Sequence, residues 1–298
     1  MHNSNLWAYL RHQISDLKSS IKIVLPGWRN GRRIGLKIRR SIKTPCGFES
    51  LPGHQFIMPE LPEVEIVVRQ LCPRLRGQKI RRVEICDPKI KLNSKLAGRQ
   101  INRIYRRAKF IIFDLTGQQH LLIHLRMTGW FEYVQPARYR FAIHAGKSVA
   151  YFTDSRRFGT VELLSNEELT DKLAKLGPEP FQFDRQRLQR TTRPIKVALL
   201  DQALIAGVGN IYASEALWRA RINPRRPARR LLPAEWQRLQ RSLVAALRKG
   251  IGYGPRIFDV QKFFAYDRAG KPCRRCRTPI RRIVMAQRST FFCPRCQR

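Results

Sequence analysis

Residues 195–218 read IKVALLDQALIAGVGNIYASEALW. Apolar residues recur at helical spacing on both sides of AGVGN, so two helices meet there at a turn. Two glycines around a valine let the backbone turn sharply and leave amide N–H groups facing outward. Asn210 then starts the second helix, whose N-terminus favours an anion. A phosphate suits that place, with Lys196 as its partner. A plain helical hairpin with Asn210 as N-cap suits the spacing equally well.

Helical patterning extends to both sides. NEELTDKLAKLG from Asn166 reads as a helix stopped by a glycine C-cap and Pro178. Further helical stretches fall at about 184–206, 210–221 and 233–249. Towards the N-terminus the period changes. KIRRVEI (79–85), KFIIFDL (109–115), HLLIHLRM (120–127) and SVAYF (148–152) read as strands. Before them EVEIVVRQLCPRL has helical spacing at Val64, Val67, Val68 and Leu71, with a stop near Pro73. Short strands with polar turns predict a β-sandwich or barrel with one helix laid against it. No internal repeat is visible.

The tail is a metal site by spacing. Four of the seven cysteines are Cys273-x2-Cys276 and Cys293-x2-Cys296, and each pair offers two thiolates along one tetrahedral edge. Four cysteine ligands leave no open position, so the expected zinc ion is single and structural. Cys46, Cys72 and Cys86 are scattered and read as free thiols of a reducing compartment. Arg288 falls on the return limb of the presumed hairpin, where it is either a solvated charge or a contact to a ligand.

Charge narrows the partner. The 298 residues carry 59 Lys+Arg against 21 Asp+Glu, a net +38 that an ordinary small-molecule enzyme does not need. Phosphates answer such an excess, since each one contacted releases a condensed counterion. No apolar run approaches the ~20 residues of a bilayer helix, so membrane insertion is not expected. Residues 1–57 hold basic residues without an amphipathic period and read as an arm, a targeting segment or sequence absent from the mature protein. They end at FIMPELPEVE (56–65), an acidic run in a basic chain. On pattern alone, Glu60 and Glu63 are an acidic first helical turn that complements the helix dipole.

Seven stretches together carry a resemblance: MPELPEVE (58–65), RRAKF (106–110), HLRMTG (124–129), DSRRFG (154–159), LGPEP (176–180), GVGNIYASE (207–215) and AQRSTFFC (286–293) before the second cysteine pair. In this order over residues 58–298, the chain resembles the formamidopyrimidine-DNA glycosylase family. The resemblance implies an α+β multidomain protein. Residues 58–165 would be an N-terminal β-sandwich with a leading helix, 166–262 a helix-two-turn-helix DNA-binding domain, and 263–298 a zinc hairpin. Residues 1–57 would be an extension outside the catalytic body.

It also implies base excision of oxidised purines followed by strand cutting through β,δ-elimination. The nucleophile would be the secondary amine of Pro59, freed when Met58 is removed. A free α-amine has a pKa of about 7.7–8.0 and is partly neutral at cellular pH. Glu60 would move the proton at the deoxyribose oxygen and Glu63 would help to hold the site. Lys109 would reach the lesion's phosphate or sugar. Lys196, Asn210 and Arg288 would clamp the backbone, with Arg157 and Tyr212 also on the DNA side. Met127, Arg156 and Phe158 would fill the gap left by the flipped base, where residue types alone would place Met127 and Phe158 in the sandwich core.

The expected partner is damaged double-stranded DNA, bound by a monomer in a bacterial cytoplasm. An endonuclease VIII-like enzyme for oxidised pyrimidines is the alternative. A non-catalytic DNA-binding protein is another, should the extension stay attached. Arg126 stands where the family has glycine, and Ser155 where it has proline. The stretch 250–270 is shorter than in members with a lesion-capping loop, which shifts the expected preference towards formamidopyrimidines over 8-oxoguanine.

Overall fold

The computed structural model describes residues 58–92, 96–254 and 262–298. The extension 1–57, and residues 255–261 of the shortened stretch, lie outside the described residues.

Helix α1, Leu61–Leu75, buries the stripe read from the sequence, Val64, Val67, Val68 and Leu71, and extends it to Leu75. Each such side chain stabilises the fold by roughly 1.5–3 kcal/mol. The helix does not stop at Pro73, which lies inside its last turn, and Arg76 N still donates to Cys72 O at 3.1 Å. A proline near the end removes only one ladder bond, and the following turn closes beyond it.

Strands β1 (Ile80–Ile85), β2 (Ile101–Arg107), β3 (Phe110–Leu115), β4 (Gln119–His124), β5 (Trp130–Glu132), β6 (Phe141–Ala145), β7 (Ser148–Thr153) and β8 (Thr160–Ser165) follow. Among the described residues they form two four-stranded antiparallel sheets, ordered β1-β6-β7-β5 and β2-β3-β4-β8. Both contribute to one core, with Phe113, Ile123, Phe141 and Phe152 fully buried. This is the expected sandwich, but four of its strands are not evident from pattern. β6 is buried on both faces, which erases alternation, β5 is three residues long, and β2 and β8 are largely polar. The run HLLIHLRM is strand only to His124. Arg126 takes φ 53° and Gly129 N returns to Leu125 O at 2.9 Å, closing a turn.

Topology places two loops side by side. The β4–β5 loop crosses from the second sheet to the first, and the β7–β8 loop crosses back. Their flanking strands pair at Trp130↔Thr153 and His124↔Thr160, so both loops cross at one end of the sandwich.

The helical part contains α2 (Asn166–Ala174), α3 (Arg185–Gln189), α4 (Ile195–Leu200), α5 (Asn210–Ala220) and α6 (Pro233–Gly252). Helix α2 starts at a Ser165–Glu168 capping box. Its end is not a left-handed glycine cap. Gly177 lies beyond the helix, where a side chain would meet Ala203 O at 2.7 Å, so the glycine serves close packing. The expected helix at 184–206 is two short ones. Pro194 caps the second and bridges to Pro227, while Asp201 Oδ1 accepts from Ala203 N and turns the chain away. Leu61, from the start of α1, packs in this helical core with Ile211, Trp236 and Leu243. The hairpin β9 (Arg281–Met285) and β10 (Arg288–Phe292) stands between the two cysteine pairs.

Candidate active site and nucleic-acid interface

Pro59 is buried at the mouth of α1, and the next residue crosses to the helical core. The Glu60 carboxylate accepts from Ile211 N at 2.8 Å and Tyr212 N at 3.3 Å, the first amides of α5. The anion at this helix N-terminus is therefore a side chain of the protein. The glycines of AGVGN make the approach possible. Gly207 takes φ 86°, and a Cβ on Gly209 would lie 2.3 Å from Glu60 Cδ. Burial pushes the Glu60 pKa up; the charge of Lys109 and the α5 amides only partly offset it.

Glu63 supports this carboxylate. Its Oε2 accepts from Glu60 N at 2.8 Å and its Oε1 from the Tyr212 hydroxyl at 2.7 Å. Burial, then the charge of Glu60, raises its pKa to about 8. Tyr212 thus faces Glu63, and burial raises its own pKa well above normal.

Lys109 sits at the tip of the β2–β3 hairpin, after Ala108 at φ 54°. Burial lowers its pKa, Glu60 opposes the shift, and Arg288 on β10 adds to it. Pro59, Glu60, Glu63, Lys109 and Arg288 therefore share one region. The hairpin is held from the helical side by Glu179 of LGPEP, whose Oε1 accepts from Ala108 N at 2.8 Å, Arg107 Nη1 at 3.0 Å and Arg106 Nη1 at 3.1 Å. Burial raises the Glu179 pKa, but the arginines and the amide outweigh it and the net shift is downward. His124 lies beside the hairpin, its ring 5.0 Å from that of Phe110. Burial, with the charges of Arg126 and Lys109, drops its pKa to about 3, so it is neutral and its Nδ1 accepts from Arg126 N.

Lys196 is placed differently from the phosphate partner expected of it. Only 1% exposed, its Nζ donates to Ser214 Oγ at 3.0 Å, Thr290 Oγ1 at 3.0 Å and Ser289 O at 3.2 Å. Burial lowers its pKa to about 7. Asn210 Nδ2 donates to the same Ser289 O at 3.0 Å. Both residues tie α4 and α5 to the zinc hairpin, directly beside Arg288.

The two crossing loops carry the other expected group. Phe158 is 51% exposed and Arg156 is exposed, with its guanidinium 5.0 Å from the Phe158 ring centre. Met127 is half-buried and Leu125, not Met127, enters the sandwich core. Arg157 is exposed, but its Nε donates to buried Asp87 Oδ2 at 3.0 Å.

In the tail the four cysteine sulfurs lie within 4.8 Å of one another, Cys276 and Cys293 at 3.4 Å. A tetrahedron with Zn–S bonds of about 2.3 Å has edges of about 3.8 Å, so the cluster accepts one zinc ion. Arg275 N and Cys296 N approach the sulfurs of Cys273 and Cys293 at 3.5 and 3.4 Å, as amides of a thiolate knuckle do.

Family models match the chain in three consecutive segments: the formamidopyrimidine-DNA glycosylase N-terminal domain at 58–161, its H2TH domain at 176–262, and the zinc finger of FPG and IleRS at 270–298. The chain belongs to the formamidopyrimidine-DNA glycosylase family. It is 43% identical over 272 residues to the enzyme of that name from Chloroflexus aurantiacus, covering 80% of this chain and 98% of the relative. With the Thermus thermophilus enzyme it shares 41% over 263 residues, covering 80% and 98%. A solved complex of Lactococcus lactis Fpg with abasic-site DNA aligns with a TM-score of 0.74 at 34% identity, covering 80% of this chain and all of that one.

One departure from the family pattern now has a physical reading. Arg126, at the family's glycine position, takes φ 53°, a conformation glycine adopts freely. Sequence reasoning missed Glu179, His124, Asp87, Arg140 and Asp154. The first two and Asp154 lie inside the motifs and signal themselves there. Asp87 and Arg140 carry no local signal at all.

Proposed function

We propose that this chain is a bifunctional DNA glycosylase and AP lyase of base excision repair, acting on oxidised purines, formamidopyrimidines foremost, in duplex DNA. The observation that carries the proposal is the Glu60 carboxylate, buried beside Pro59 and aimed by the α5 amides, with Lys109 opposite. In this reading the Pro59 nitrogen attacks C1′ of the lesion nucleotide, and the C1′–N bond breaks with its electron pair leaving on the base. Glu60 takes the proton that the Pro59 nitrogen sheds and gives it to O4′ as the C1′–O4′ bond opens and an iminium forms. The iminium acidifies C2′. Loss of that proton expels the 3′-phosphate, and a second elimination expels the 5′-phosphate.

Lys109 and Arg288 hold the phosphate and sugar beside this centre. Met127, Arg156 and Phe158 occupy the space that the flipped base leaves. Lys196 and Asn210 act on the DNA through the hairpin they fasten. The zinc supplies no chemistry at the reacting atoms; its four cysteines hold the hairpin that presents Arg288. The bacterial relatives and the basic charge support work on DNA in the cytoplasm, and the expected state there is a monomer.

The chemistry needs a free proline amine, so the catalytic body starts at Pro59, through translation from Met58 with removal of that methionine or through trimming of residues 1–58. In a longer chain the Pro59 nitrogen is a tertiary amide whose lone pair is delocalised into the carbonyl, so it cannot form a Schiff base. Borohydride trapping on abasic-site duplex tests this. A chain beginning at Pro59 traps covalently, and the 298-residue chain binds but traps little. Efficient trapping by a chain of confirmed intact mass would overturn the assignment, with Lys109 the next nucleophile to test.

A further inference from the structure

Met127 and Phe158 come from two different loops, yet a void in duplex DNA has to be filled by both at once. Asp154 begins the β7–β8 loop, and its side chain is fully buried. Its Oδ1 accepts from the Thr128 hydroxyl of the other loop. Thr128 Oγ1 in turn accepts from Arg156 N at 3.2 Å, so the bond returns to the loop from which it came. Asp154 Oδ2 accepts from Gly159 N at 2.7 Å and Arg140 Nη1 at 3.0 Å. Arg140, also buried, donates to Gly159 O at 2.6 Å and to Asp87 Oδ2 at 2.6 Å, and Asp87 receives Arg157. A buried carboxylate and guanidinium keep their partners because an unpaired buried charge is costly. The network therefore fixes both ends of one loop and the middle of the other.

We infer that Asp154 and Thr128, backed by Arg140, are positioning residues that lock the two crossing loops into a single unit, so that Met127 and Phe158 enter the base stack together. The inference rests on the proposed void-filling role of those two residues. It adds a feature of this chain: a methyl-for-hydroxyl exchange at Thr128, next to Met127, removes a link between the loops.

The test uses the full 298-residue chain and needs no catalysis. A duplex carries a tetrahydrofuran abasic analogue with 2-aminopurine as its 3′ neighbour, whose fluorescence rises when a side chain enters the step. Thr128→Val should weaken the insertion equilibrium about tenfold or more, the worth of a hydrogen bond to a charged group, with overall affinity falling by no more than that factor. Thr128→Ser should restore it. In a Phe158→Ala background, Thr128→Val should add nothing, because coupled residues are non-additive. A normal response from Thr128→Val while Phe158→Ala abolishes it would sink the lock and leave the wedge standing. So would a Thr128→Val effect of undiminished size in the Phe158→Ala background, or a failure of serine to rescue. A full response from Phe158→Ala would remove the wedge itself, and the lock with it.

Discussion

Gly209→Ala is a one-carbon test of how the Glu60 carboxylate is held. Gly209 has φ −129° and ψ −165°, a backbone that alanine adopts without strain, so any effect is steric. The added Cβ would lie 2.3 Å from Glu60 Cδ, 2.5 Å from Oε1 and 2.6 Å from Cγ. These atoms are not a flexible tip in open space. They are buried, with Oε1 held 2.8 Å from Ile211 N and Oε2 3.3 Å from Tyr212 N. The carboxylate must retreat by roughly 1 Å to reach ordinary contact, and at that distance both bonds to the helix are lost or stretched beyond use.

Hydrogen bonds to a charged group are worth about 1.5–3 kcal/mol each, so stability should fall by about 2–4 kcal/mol if part of the loss is relaxed. The catalytic effect should be larger, since a misplacement of about 1 Å at a reacting group costs about 100-fold in rate. In the chain beginning at Pro59, single-turnover borohydride trapping on an abasic duplex should slow by about two orders of magnitude, with DNA affinity nearly unchanged. Trapping within about threefold of the parent, in a folded variant, would refute the claim that α5 aims this carboxylate.

Glu63 should make stability fall with rising pH. Its folded pKa of about 8 exceeds the usual 4.5, so the folded state holds the extra proton between these values. The stabilisation is complete below the lower value and is lost as pH climbs through the upper one. Melting temperature measured across that window should decline, and Glu63→Gln should flatten the decline. Metal analysis should return one zinc per chain, and Cys273→Ser or Cys296→Ser should loosen the hairpin and weaken DNA binding; a folded, active, zinc-free preparation would contradict this. Side-by-side kinetics should show formamidopyrimidine excision exceeding 8-oxoguanine excision by more than in members with a full capping loop, and a clear preference for 8-oxoguanine would reverse the expectation drawn from the short 250–270 stretch.

The legible parts of this protein are those whose cause is local. Two C-x-x-C pairs declare a metal because ligand spacing within each knuckle is short-range, and α1 declares its buried stripe because helical period is visible within eleven residues. Strand β6 is hidden for the opposite reason: burial on both faces removes the alternation that marks a strand. The helix N-terminus at Asn210 receives a carboxyl group from a residue 150 positions earlier in the chain, and no local rule could name Glu60. Lys196 misleads in the same way. A lysine near a helix N-terminus suggests a phosphate until Ser214, Ser289 and Thr290 are seen to take all three of its protons. Asp87 and Arg140 form a buried pair across 53 residues, and neither differs in the sequence from a surface charge.

Glu60 belongs to the β-sandwich by sequence and to the helical part by its bonds. Leu61 behaves likewise, packing in the helical core while Val64, Val67 and Leu71 of the same helix pack in the sandwich core. In the reverse direction Glu179, outside the sandwich, holds the hairpin that presents Lys109, and Lys196 holds the hairpin that presents Arg288. Each charged group around Pro59 is thus oriented by a part of the chain other than its own. A site built in this way exists only while sandwich, helices and zinc hairpin are docked together. It follows that a lesion is processed where all three bear on one stretch of duplex, and that loosening any one contact reaches the reacting atoms through the orientation of Glu60, Lys109 or Arg288.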